Sequence, residues 1–121
     1  MRDVIRHVDL PASERVGLAQ LAREVIDLTD GVTATTGPAG RWQTIGAGQA
    51  IPGVLAAEDS QGRVDIEMHL VARWPPPMSL EQFGEQLRAH LHRSAGRAGM
   101  GERLGAVSVA FDDVLVETES S

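Results

Sequence analysis

"GRVDIEMHLVARWPPP", residues 62–77, decides how this chain folds. Successive side chains of a strand point to opposite faces. Val64, Ile66, Met68, Leu70 and Ala72 therefore share one face, and Asp65, Glu67, His69, Val71 and Arg73 share the other. This is the alternation of a half-buried strand, and three prolines, which cannot donate to a ladder, stop it.

Working outward, "AIPGVLAAEDSQ" (50–61) precedes it as a second strand, and Asp59, Ser60, Gln61 and Gly62 read as the turn of a hairpin. Pro52 and Gly53 weaken the start of that strand and place it near an edge or a bulge. Further upstream, "VTATT" and "RWQTIG" are short β-leaning runs separated by Gly37, Pro38, Ala39 and Gly40, a turn or loop.

Two helices flank these strands. In "PASERVGLAQLAREVIDLTDG" (11–31), Leu18, Leu21, Ala22, Val25 and Leu28 recur mostly at intervals of three and four. Ser13 is placed to cap the start, and Gly31 to end it in the left-handed conformation. In "MSLEQFGEQLRAHLHRSAGRAG" (78–99), Leu80, Phe83, Leu87 and Leu91 form the apolar stripe. Ser79 is the expected cap, and Gly84 inside that helix suggests a close packing contact. "LGAVSVAFDDVLVE" (104–117) is the closing strand, with Val107, Val109 and Phe111 on one face.

The expected architecture is α+β in two layers, with two amphipathic helices on one face of a small antiparallel or mixed sheet, in the order α-β-β-β-α-β. A single domain spans 11–117. Residues 1–10 form an arm, a short edge strand or a disordered tail, and 118–121 trail at the end.

Composition narrows the function classes. The chain has 121 residues, one domain by length, and no cysteine, so disulfides, thiolate metal sites and cysteine nucleophiles are excluded. Its 17 acidic and 11 basic residues leave a net charge of −6. Every basic residue is arginine, a codon signature of a GC-rich bacterial genome. An acidic chain is a poor partner for phosphate backbones. The start lacks the apolar core of a signal peptide, and no run approaches the roughly eighteen apolar residues of a membrane span.

Chemistry-bearing constellations are few. Asp65, Glu67 and His69 stand two residues apart on one strand face, about 6.5–7 Å between neighbours, a spacing open to a metal or an acid–base pair. The plainer reading, preferred here, is a solvated face with cross-strand ion pairs. His90 and His92 diverge on their helix and cannot share a metal. Asp112 and Asp113 read as a solubilised strand end, and "GAG" (46–48) lacks a dinucleotide fingerprint. Trp42 and Trp74 read as half-buried anchors and, with Arg93, Arg97 and Arg103, as the expected interaction surface. No catalytic residue, cofactor or metal ligand is assigned.

Four segments carry a family resemblance. "LAREVIDLTDGV", the hairpin "AIPGVLAAEDSQGRVDIEMHLVARW", "MSLEQFGEQLRAHLHR" and "AVSVAFDDV" together span about residues 18–116. In order and spacing they resemble the alkaline shock protein family, also called envelope stress response proteins. That family usually has a Tyr-Gly-like turn where this chain has Trp74 and three prolines, and the glycine-rich exit of its second helix is shorter. The resemblance implies a non-enzymatic cytoplasmic protein of the bacterial envelope stress response. Such a protein would self-assemble and be held beneath the membrane by a small membrane-anchored partner, without inserting itself.

Two other classes compete. "GRAGMGER" (96–103), ringed by Arg93, Arg97 and Arg103, is similar to glycine loops that clamp nucleic-acid backbones. An enzyme or small-ligand carrier would instead use the charged strand face or a pocket near Trp42 and Trp74.

Overall fold

The structure, a computed structural model, describes the backbone of residues 2–46 and 48–116 and the side chains of 14–46 and 48–116. It opens with helix α1 (Arg2–Asp27), followed by strands β1 (Val32–Ala34), β2 (Gln43–Gly46), β3 (Gln49–Pro52), β4 (Val54–Glu58) and β5 (Val64–Trp74). Helix α2 (Leu80–Arg97) and strand β6 (Leu104–Val116) complete the order. The α+β two-layer class is as expected, with five strands between the helices instead of two or three.

β5 is the centre of the main sheet. On one side β4 pairs with Val64 to Met68 and β1 with Leu70 to Ala72, both antiparallel and meeting end to end. On its other side β6 runs parallel, as a crossover through α2 requires. β2 and β3 form a separate two-stranded ribbon. Gly53 sits where β1 and β4 abut: its φ is +82°, and a Cβ there would lie 2.5 Å from Cβ of Ala34. The proline–glycine signal at 52–53 was therefore a break between β3 and β4.

The core lies between the helices and the alternating row Val64, Ile66, Met68, Leu70 and Ala72, all buried. Phe83, Leu87 and Leu91 of α2 are at most 1% exposed, each contributing about 2 kcal/mol by burial. Leu80 of the expected stripe packs half-buried against them. α2 starts with a reciprocal cap: the Gln82 N–H donates to the Ser79 hydroxyl, and the Ser79 N–H donates to the Gln82 side chain. Gly84 is buried, but among the described residues nothing crowds it. An added Cβ would stand 3.7 Å from the Arg88 guanidinium and 3.9 Å from Cβ of Val109, ordinary distances.

α1 corrects three expectations. Residues 2–10 continue the helix instead of forming an arm or edge strand, and the expected tail at 118–121 lies outside the described residues. Ser13 is consequently interior to the helix and not at its start. Leu28, assigned to the apolar stripe, is 76% exposed because the helix ends at Asp27, and Ile26 is buried in its stead. The Thr29 hydroxyl then donates to the Val25 carbonyl, and Gly31 turns the chain at φ +93°.

Candidate functional site

His69 lies on β5 where its neighbour changes from β4 to β1. Its N–H donates to the Gly53 carbonyl (2.8 Å) and its carbonyl accepts from Thr35 N–H (2.9 Å), so the junction closes around it. The side chain points away from the helices, yet the residue is only 4% exposed. The expectation of an outward, solvated histidine is corrected here.

The cover is Trp42. Its indole stacks flat on the imidazole, 4.0 Å between centroids and 1° between planes. The chain holds it there by two backbone bonds of 2.7 Å, Trp42 N–H to the Thr36 carbonyl and Gly53 N–H to the Trp42 carbonyl. Gly37, at φ +70°, leaves the space the ring edge fills, since a Cβ there would come within 2.1 Å of it. The Arg41 guanidinium lies 5.9 Å from the indole centroid, within cation–π range.

Two carboxylates flank the ring. Glu67, two residues earlier on the same face, places Oε2 2.8 Å from Nε2. Asp112 places Oδ2 2.9 Å from Nδ1. Asp112 gets there through a bulge: Leu70 pairs with Phe111 but Val71 pairs with Asp113, leaving Asp112 as the extra residue. A neutral imidazole carries one N–H and can donate to one of these acids; the doubly protonated ring donates to both.

Asp65 does not join them. Its Oδ1 accepts from the Ala106 N–H (2.9 Å) at a second irregularity, where Val64 pairs with Leu104 but Ile66 with Val107. The cluster is thus a staple that hydrogen-bonds β5 to β6 and stacks the loop before β2 against them. Both ring nitrogens face the chain's own carboxylates and one ring face is capped, so no ring nitrogen is left for a substrate. Among the described residues no group of three or more acidic or histidine side chains is placed to hold a metal ion.

The remaining candidates disperse. Trp42 is engaged internally, whereas Trp74 is 49% exposed at the end of β5. Arg103 is tied down: Nε pairs with the Glu14 carboxylate (3.2 Å) and Nη1 donates to the Gly62 carbonyl (2.9 Å). Arg93 and Arg97 are exposed on α2, and Arg97 lines the α1–α2 groove beside Glu24 and His90. His92 is exposed. Asp113 bonds the N–H of Val114 next to it.

The sequence offers two sheet edges for pairing with another chain, one near Pro52 and one at the closing strand, and the structure puts the closing strand at the opposite rim of the sheet. Among the described residues β6 pairs with β5 alone, so its other edge is open over thirteen residues. Near its end Leu115 and Val116 are 61% and 62% exposed, and Val116 pairs with Trp74. The signal for Asp112 was present in "AFDDVLV", where two consecutive acids break the alternation. No protein-family model, curated protein or solved structure matches this chain.

Proposed function

We propose that this protein is a non-enzymatic structural and interaction module that works by assembling with itself. The open edge of β6 carries this reading. A long unpaired strand is a template for another chain, and solitary edges are ordinarily blunted by lysine, proline, bulges or inward-pointing charges. β6 has neither lysine nor proline, and its two bulges and the inward-turned Asp112 flank residues 107–111, which carry no such guard.

The closed cluster at His69 favours the same reading, because its polar groups are spent on each other. No helix among the described residues is long and apolar enough to cross a membrane, and in this reading a partner holds the protein there. The order and spacing of the four segments over residues 18–116 support placing that role, as in the alkaline shock proteins, in envelope homeostasis at the inner face of the membrane.

Light scattering over a wide concentration range tests self-assembly; a strictly monomeric species throughout would refute it. Sedimentation of the protein with membranes from lysed cells, lost when the membranes are stripped of protein, tests the partner. An RNA affinity that falls with added salt would replace this reading with the arginine–glycine loop, although Arg103 is already committed to Glu14 and Gly62.

A further inference from the structure

We infer that two copies of this chain pair β6 with β6, antiparallel, about a two-fold axis through Val109 perpendicular to the sheet. The two sheets would become one, with all four helices on the same face. This inference rests on the self-assembly reading above and names its surface and symmetry.

The register follows from β6 itself. Its ladder is regular over residues 107–111 and interrupted on both sides, by Gly105 and Ala106 at one end and by Asp112 at the other. Bulges disrupt pairing locally, so the stretch able to accept a second strand is centred on Val109. Opposed residues in a sheet must share a face. An axis at Val109 meets that condition, placing Val107 opposite the partner's Phe111 and Ser108 opposite the partner's Ala110. The row Val107, Val109 and Phe111 packs against the core but is only partly buried at the open edge. A second copy would complete its burial.

Charge selects a second copy. With this axis Asp112 falls opposite Ala106 and Asp113 opposite Gly105, so no two acids meet. Above the strand, Glu81, Gly84 and Arg88 lie at intervals of three and four and so form one stripe of α2. Gly84 fixes where that stripe runs, because a Cβ on it would stand 3.9 Å from Cβ of Val109, the axis residue. The two-fold therefore brings Arg88 level with the partner's Glu81 and Glu81 level with the partner's Arg88, two complementary pairs across the axis. A foreign strand would have to supply this pattern by chance; a second copy has it by symmetry.

The test exploits a chain without cysteine. At a two-fold residue of an antiparallel pair the Cα atoms stand about 4.5–5.5 Å apart, within disulfide reach. Val109→Cys should oxidise to a covalent dimer, whereas cysteine at the remote Ala57 should not. The double variant Ser108→Lys/Ala110→Lys sets lysine opposite lysine and should weaken dimerisation at least about tenfold by sedimentation equilibrium. Mixing it with Ser108→Glu/Ala110→Glu should restore a heterodimer. Circular dichroism checks folding of each variant, and if the charged variants do not fold, Val109→Cys, a small apolar exchange, decides alone. A wild-type dimer with no Val109→Cys crosslink, or one unmoved by charge in folded variants, overturns the β6 geometry while self-assembly stands. A wild type that stays monomeric overturns both.

Discussion

Trp42 lies flat on His69, its indole parallel to the imidazole to within 1° at 4.0 Å between centroids. That stack closes the face of the sheet that the helices do not cover, at the one point where β1 and β4 leave a seam. With Glu67 and Asp112 at the two ring nitrogens, His69 is held on three sides by its own chain.

Asp112→Ala should cost about 1–3 kcal/mol, because it strands Nδ1 of a buried ring without a partner. Urea unfolding reads this as a lower midpoint at unchanged slope. Glu67→Ala should cost less, since the Glu67 side chain is 46% exposed and water replaces it more readily. Equal losses would show that the staple is not organised as described.

Two glycines should respond with opposite signs. Gly84→Ala has room for its methyl and gains helix propensity, raising stability by up to about 1 kcal/mol. Gly53→Ala should destabilise by more than that, because it combines a left-handed φ with a clash against Ala34. Thermal melts of the two variants at one protein concentration make the comparison.

Ser79→Ala removes the reciprocal cap of α2 and should cost about 1 kcal/mol. Ser79→Asp should recover most of it, since an acidic side chain also accepts from the first-turn N–H groups and suits the helix dipole. Thermal unfolding of the two variants beside the wild type checks this.

The Asp59 carboxylate accepts the N–H of Arg63 and of Gln61, which hold its pKa below the ordinary aspartate range. A depressed folded-state value means that this carboxylate adds stability above its unfolded pKa and loses it as pH falls through the lower, folded value. Carboxyl NMR titration should find Asp59 ionised after ordinary aspartates have protonated. In Asp59→Asn, the acid-side decline in stability should lose this contribution.

Much of the architecture was legible because periodicity is local. Two-residue alternation over 64–72 named the buried row of β5, and three-and-four spacing named Phe83, Leu87 and Leu91. Ser79 was legible as a cap from its own helix start. The α1 start was not, because Ser13, just ahead of the periodic apolar run, has the local pattern of a cap although the helix begins at Arg2.

By itself, then, the sequence determined which residues share a face, where the hairpin turns and where α2 begins, since each depends on neighbours within a few positions. Only the tertiary structure decided that the polar face of β5 is partly covered. Trp42 and Asp112 are 27 and 43 residues from His69, and alternation says which side a residue faces, never what arrives to cover it. The same holds for β6: its alternation marks it as a strand, but whether it lies inside a sheet or along its rim depends on which strands pair beside it.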